Sequence, residues 1–293
     1  MAHAHHHDDH PHRHERLVRR AFGLIGGFML VEIAGGLIAN SLTLLADAGH
    51  MFLDASALGF SWYALHLSKR GYDHNLSYGY HRYQVLATFI NGLLLWGLIV
   101  WILLEAWQRL HAPEGMRPLP ALAVAFVGLL VNVVAYRWLH HGHDNATVRS
   151  AALHVLGDML GSAAAVIAAL TVWLTGWLYA DPLLALVIVA ILGRGAWRLV
   201  RDSTHILLEG VPEDVNLGEI RDALSSQVPG VLEVHHLHAW ALTAERPLLT
   251  LHARVEEGVD LSGVMAEIKR VLNRDFGIDH STIQVEHGPC PDD

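Results

Sequence analysis

The sequence predicts a polytopic α-helical membrane protein with six transmembrane helices, followed by a C-terminal cytosolic α+β domain of the ferredoxin-like kind in the order αββαβ. Three observations carry this. Of the 293 residues, 52% are hydrophobic and only 17% charged, against roughly 25% charged in a typical soluble domain. A polar N-terminus is followed by six apolar stretches, each near the ~20 residues a helix needs to cross the hydrocarbon core. After Arg201 the character changes, and residues from about 208 to 287 read as a small soluble domain.

Residues 1–16 form a polar, His-rich segment that cannot bury apolar surface and is expected to be a disordered cytosolic tail. An affinity tag is the bland alternative, but Asp, Ala and Pro interrupt the His residues, unlike a uniform tag. The spans fall at about 17–39, 42–67, 83–108, 118–140, 148–176 and 180–200. Gly23 and Gly27 make a GxxxG pattern that permits close helix contact, although chance produces it often where Gly is common. With the N-terminus inside, the cytosolic ends carry Arg13, Arg16, Arg19, Arg20, Lys69, Arg70, Arg82, Arg137, Arg149, Arg198 and Arg201. The outer ends carry only Arg109 and Arg117. This bias places both termini in the cytosol.

The membrane domain is expected to span 17–202, with a linker at 203–212 and a cytosolic metal-binding and dimerisation domain at 213–293. Pro212-Glu213-Asp214 opens a helix near 214–227, and Pro229-Gly230 ends it. Val231–Leu242 and Pro247–Glu256 read as strands, Asp260–Asp275 as a helix and Ser281–Glu286 as a last strand. About 80 residues give only a marginal core, which dimerisation would help. Strict alternation along the first strand puts His236 and His238 with Val234 and Trp240, and His235 on the other face.

Several classes are excluded or disfavoured. There is no long basic stripe with interleaved aromatics, so no nucleic-acid partner is expected. The formal charge of −9 counts 23 His as neutral and depends on pH and metal, so it names no partner. The single cysteine, Cys290, rules out an intrachain disulfide and a CxxC metal pair. No cleavable signal peptide, no HExxH and no phosphate-binding Gly-x-x-x-x-Gly-Lys-Ser/Thr loop is visible. An enzyme is not expected.

The informative residues lie inside the spans. The second contains Asp47, His50 and Asp54; the fifth contains His154 and Asp158. Each span thus has a His-x-x-x-Asp, and residues i and i+4 stack on one helix face. Two such faces opposed give His50, Asp54, His154 and Asp158, a nitrogen and oxygen set suited to tetrahedral Zn2+. An Asp at a helix centre in the bilayer costs on the order of 2.5–3.5 kcal/mol on insertion scales, so two of them need a partner, and a divalent cation is an efficient one. Separate His–Asp pairs serving packing or a proton relay are the bland alternative; the duplication favours a metal path. Asp47, three residues before His50, is either a proton or ion relay or an outer-end residue meeting water. Glu32, Asn91, Asn132 and Ser162 bridge helices or line the path, with bridging the ordinary role.

Asn-Ser-Leu-Thr-Leu-Leu-Ala-Asp-Ala-Gly-His-Met (40–51), Ser-Tyr-Gly-Tyr-His-Arg (77–82), the paired HxxxD and His-His-Leu-His-Ala-Trp (235–240) resemble the cation diffusion facilitator family, particularly bacterial zinc and cadmium exporters. The resemblance spans nearly the whole chain beyond the tail. It implies a homodimer in a lipid bilayer that exchanges metal for protons by alternating access. The expected cargo is Zn2+, with Cd2+, Co2+ or Ni2+ as the alternative, and the short loops without an organelle signal point to a bacterial cytoplasmic membrane. Zn2+ is also expected as a ligand of the cytosolic domain. There the resemblance matches His235, His252 and Glu286 to metal-binding positions, with His280 and His287 as possible additions; surface or packing roles for these His are the alternative. Cys290 alone cannot replace the CxxC of some relatives, so further ligands would come from the tail or the partner subunit. Some relatives bind a metal in the loop after the second span, but Asp73, His74 and His81 depart from that spacing. Arg82 and Glu209 are expected to pair. A metal sensor or storage protein without flux is the main rival; it leaves the two buried HxxxD motifs unexplained.

Overall fold

A computed structural model describes residues 10–68, 73–140, 146–288 and 290. Six long helices come first: α1 (His10–Ala39), α2 (Leu42–Ser68), α3 (Arg82–His111), α4 (Pro118–His140), α5 (Ala146–Thr175) and α6 (Ala180–Leu207). Then follow α7 (Leu217–Gln227), β1 (Val231–Ala241), β2 (Pro247–Val255), α8 (Leu261–Phe276) and β3 (His280–Glu286). The αββαβ order is the predicted one. The chain divides into two compact units, Met1–Gly59 with Asn91–Arg198 and Phe60–Ile90 with Leu199–Asp293.

Among the described residues, Arg82–His111, Pro118–Leu139, Ala152–Thr175 and Ala180–Leu207 are long and apolar enough to cross a membrane, and Gly23–Ala39 is a shorter apolar stretch. Their outward faces carry exposed Leu30, Trp101, Leu104, Phe126, Leu160 and Ile167, a lining that lipid tolerates and water does not. α1 differs from expectation. It begins at His10, so residues 10–16 are helical rather than disordered. Extending a helix already nucleated by an apolar span fixes one residue per added hydrogen bond, which is far cheaper than starting one. Residues 1–9 of the tail, and Lys69 and Arg70, lie outside the described residues.

In the first unit, α2 sits between two apolar clusters. Leu42, Ala46 and Leu53 pack with Leu95, Ile99 and Ile102 of α3 and Ala185, Ile188 and Leu192 of α6. Met51 packs with Ile25 and Met29 of α1, Leu139 of α4 and Val155 of α5. Among the described residues of the chain nothing stands within 4 Å of where a Cβ on Gly23 or Gly27 would lie, which agrees with the chance reading of that GxxxG pattern. Small residues do their close packing elsewhere, at Ala39, Ala121, Ala125, Ala165 and Ala169.

One end of α2 is fixed by Asp181, at the start of α6. Its carboxylate accepts from Ser41 Oγ at 2.7 Å, Leu42 N at 2.7 Å and Thr43 N at 3.2 Å. These amides are first-turn donors with no partner inside the helix. Buried Arg109 stands 3.5 Å from Asp181 and donates to Asn40 O and Asn40 Oδ1, both at 2.8 Å. Asn40 itself has φ 52°, a left-handed conformation that Asn tolerates better than most residues.

In the second unit, β1 pairs antiparallel with β2, and β2 pairs parallel with β3, in the order β1-β2-β3. α7 starts later than predicted because Asn216 is its N-cap, accepting from Gly218 N and Glu219 N. α8 is capped by Asp260 and ends at Gly277, whose φ of 65° suits Gly. Ile220, Leu224, Ile268 and Leu272 of the helices cover Val234, Leu237, Leu249 and Leu251 of the sheet. Arg82 Nη2 donates to Glu209 Oε1 at 3.0 Å, and Arg246 Nη1 stands 2.9 Å from His81 Nε2. Burial, and then the Arg246 charge, hold His81 below the usual His range. The Arg82–Glu209 pair is half-exposed, so Arg82→Glu is expected to lower stability by no more than about 1 kcal/mol, with recovery in the Arg82→Glu/Glu209→Arg double variant. Thermal unfolding of the three proteins checks this.

Candidate metal sites

α2 and α5 run antiparallel and bring their His-x-x-x-Asp turns together. His50 Nε2 lies 3.3 Å from Asp54 Oδ2, and His154 Nε2 lies 3.3 Å from the same oxygen and 3.9 Å from Asp158 Oδ2. His50, Asp54 and Asp158 each offer one ligand atom within 4.8 Å of the others. His154 stands beside this trio, its ring centroid 6.2 Å from that of His50. A cavity of about 160 Å³ opens on Asp54, His154 and Asp158, walled by Ile25, Met29, Met51 and Leu58.

Asp158 is 2% exposed, and among the described residues neither carboxylate oxygen accepts a hydrogen bond. Asp54 Oδ2 and His50 Nδ1 are likewise buried without a hydrogen bond. Buried polar atoms normally find partners, so a cavity with three such residues fits a cation that binds through them. Asp47 is not at a water-exposed end: it is 2% exposed and accepts from Ser162 Oγ at 3.0 Å, while Ser162 accepts from Asn132 Nδ2 at 3.1 Å. Asn132 and Ser162 thus bridge helices. Glu32 is fully buried, and among the described residues neither of its oxygens has a hydrogen-bond partner.

The second unit holds another cluster. His235 and His252 are opposite each other in the β1–β2 register. His252 Nδ1 lies 3.0 Å from Glu286 Oε1, and His235 Nε2 lies 3.3 Å from Glu286 Oε2. Cys290 Sγ is 3.4 Å from His252 Nδ1 and completes a group whose ligand atoms all lie within 4.8 Å. Both ring nitrogens of His235 and Oε2 of Glu286 are buried without a hydrogen bond. Burial pulls the Glu286 carboxyl upward, but hydrogen bonds from Gln284 and Cys290 and the facing His235 and His252 outweigh it and leave it below the usual carboxylate range.

Two expectations about this cluster are corrected. Alternation fails at His236: the register shifts between His235 and His238, and His236 has φ 46°. The extra residue lets Val234 and Leu237 both reach the core and leaves both His235 and His236 off it. The His236 ring accordingly stacks on His252 at 5.0 Å. Cys290, discounted for want of a CxxC, joins the cluster because the chain beyond β3 returns to it; no spacing rule signals that. His280 and His287 are exposed and stand outside the group.

A helical membrane unit holding an acid–imidazole cavity, continued in sequence by a small α+β domain with a His–Glu–Cys cluster, is the plan of a membrane-embedded cation transporter. Residues 18–208 match the cation efflux transmembrane domain, and residues 212–288 match the cation efflux protein cytoplasmic domain. The chain belongs to the cation efflux family, the cation diffusion facilitators. The zinc transporter ZitB of Escherichia coli (strain K12) is 41% identical over 295 residues, 99% of this chain and 94% of that protein. The cadmium, cobalt and zinc/H(+)-K(+) antiporter of Bacillus subtilis (strain 168) is 35% identical over 272 residues, 91% of this chain and 87% of that one. The solved metal-bound C-terminal domain of the CzcD transporter from Cuprividus metallidurans is 38% identical, covering 25% of this chain and 99% of its own, with a TM-score of 0.23.

Proposed function

We propose that this protein is a secondary active transporter, not an enzyme, that exports Zn2+ from the cytosol in exchange for protons by alternating access. The observation that carries the reading is the meeting of two HxxxD turns, His50/Asp54 and His154/Asp158, at one buried cavity where the Asp158 carboxylate accepts no hydrogen bond. Metal requires neutral imidazole and ionised carboxylate, so protons and Zn2+ compete for the same atoms. That competition couples the two fluxes without ATP. Asp47, buried one turn from His50, serves as a relay for the exchanged ion. Zinc and cadmium transporters among the relatives support the cargo; Cd2+ is the second candidate. A sensor without flux is disfavoured because it gives the intramembrane carboxylates no task.

The match to the family's cytoplasmic domain supports a homodimer. The bias of Arg and Lys supports cytosolic termini in a bacterial cytoplasmic membrane, with membrane and cytosolic parts at 17–202 and 213–293. His235, His252, Glu286 and Cys290 form a regulatory Zn2+ site with two nitrogens, an oxygen and a sulfur, a set zinc accepts. In the purified full chain, His252→Ala is expected to remove one bound Zn2+ equivalent. Cys290→Ser is expected to weaken that equivalent by at least the roughly 10–100-fold that loss of an outer-shell partner already causes. Titration with a competing chelator measures both.

The transport reading is tested by Zn2+ uptake into proteoliposomes under an imposed pH gradient. Gradient-dependent uptake in wild type that disappears in Asp54→Ala supports it. Zn2+ binding without uptake in wild type returns the protein to the sensor class.

A further inference from the structure

A second polar layer lies one helical turn from the His/Asp site, toward the connection between α1 and α2. On α2, Asp47 precedes His50 by three residues; on antiparallel α5, Ser162 follows Asp158 by four. The Asp47–Ser162 hydrogen bond closes this layer, and Asn132 of α4 extends it. Glu32 of α1 lies against Gly128 of α4, in the same region. The neighbouring helices leave room for the acids by using Gly. A Cβ on Gly128, one turn before Asn132, would lie 2.6 Å from Glu32 Oε1, and one on Gly161 would lie 2.0 Å from Asp47 Oδ1.

This layer is short of positive charge. Glu32 is completely buried with both oxygens unpartnered, and Asp47 has a single side-chain donor. In a bilayer such acids are expensive and mark ion pathways. The possible metal donors of the layer are oxygens, two carboxylates and the Ser162 hydroxyl, with Asn132 Nδ2 holding that hydroxyl in place. We propose that Glu32 and Asp47, with the Ser162 hydroxyl that Asn132 positions, form a second, all-oxygen divalent-cation site through which the transported ion passes between the His/Asp site and the α1–α2 end of the bundle. This rests on the transport reading. Without imidazole, the site holds a borderline ion such as Zn2+ more weakly than the His/Asp site does. Weak, closely spaced sites let an ion leave as well as enter. Two divalent ions one helical turn apart repel, so occupancy alternates between the sites.

The probe is Cd2+, whose NMR resonance moves downfield with nitrogen or sulfur donors and stays upfield with oxygen alone. The full chain carrying His50→Ala, Asp54→Ala, His235→Ala and His252→Ala is expected to retain an upfield, oxygen-only Cd2+ signal. Adding Glu32→Gln or Asp47→Asn is expected to abolish it, while nitrogen-type signals from the His-rich tail persist. Absence of the upfield signal, or its survival of both substitutions, overturns the proposal. In the otherwise unaltered protein, Glu32→Gln is expected to slow Zn2+ uptake while Cd2+ binding at the His/Asp site, which also reports folding, is kept. Wild-type uptake matched by Glu32→Gln overturns the second site and leaves the transport reading standing. An upfield signal lost in Glu32→Gln, in a wild type without uptake, overturns the transport reading and leaves the cation site.

Discussion

Asp158→Asn is expected to abolish gradient-driven Zn2+ uptake while leaving the metal-free protein at least as stable as wild type. The two effects separate because Asp158 makes no hydrogen bond and meets His154 Nε2 only at 3.9 Å. Its carboxylate is buried among helices and accepts no hydrogen bond. Burying an unsatisfied polar group costs about 1–3 kcal/mol, more when charged, so a neutral amide of the same shape removes part of that burden. What is lost is the ligand, and with it the charge that draws a divalent cation into the cavity. Zn2+ that binds the native protein more tightly than the unfolded chain raises the unfolding temperature, so that rise is expected to shrink in Asp158→Asn. Thermal unfolding with and without Zn2+, beside vesicle uptake, checks both halves. A variant that transports normally would remove Asp158 from the site; one that unfolds would make it a structural residue.

Asp181→Ala is expected to produce the opposite pattern, a large loss of stability from a residue that does not line the His/Asp cavity. Removing it strands Ser41 Oγ and the amides of Leu42 and Thr43, all buried, and takes a carboxylate from beside Arg109. Breaking a buried charged pair on one side typically costs about 3–5 kcal/mol, and here the start of α2 loses its anchor as well. Since α2 carries His50 and Asp54, uptake is expected to fall through misplacement of the site. Asp181→Asn keeps one acceptor oxygen and is expected to fall between. Unfolding midpoints in detergent rank the three; equal stability of Asp181→Ala and wild type would show that the clamp holds nothing.

Much of this protein is legible in one dimension because membrane helices obey local rules. A span needs length and apolarity, and His50 with Asp54, or His154 with Asp158, announces a shared face by spacing alone. The elements of the soluble domain follow from period, Pro and Gly; strand ends moved by one residue, and the start of α7 moved further because Asn216 caps it. The cytosolic cluster was half legible. His235 and His252 could be read as strand residues, but the shift that turns His236 toward them depends on how β1 registers against β2.

The sequence by itself determined the class of structure, the two metal-suited turns and the family, since these depend on residues a few positions apart and on long motif matches. The tertiary structure decided what distance in the chain conceals. Only packing brings Asp54 to His154, Ser162 to Asp47, Asp181 to Ser41 and Cys290 to His252. It alone distinguishes Glu32, buried with no hydrogen bond, from Asn132, buried with one. Spacing fixes which face of one helix a side chain occupies; which other helix meets that face is set by the summed packing of the bundle.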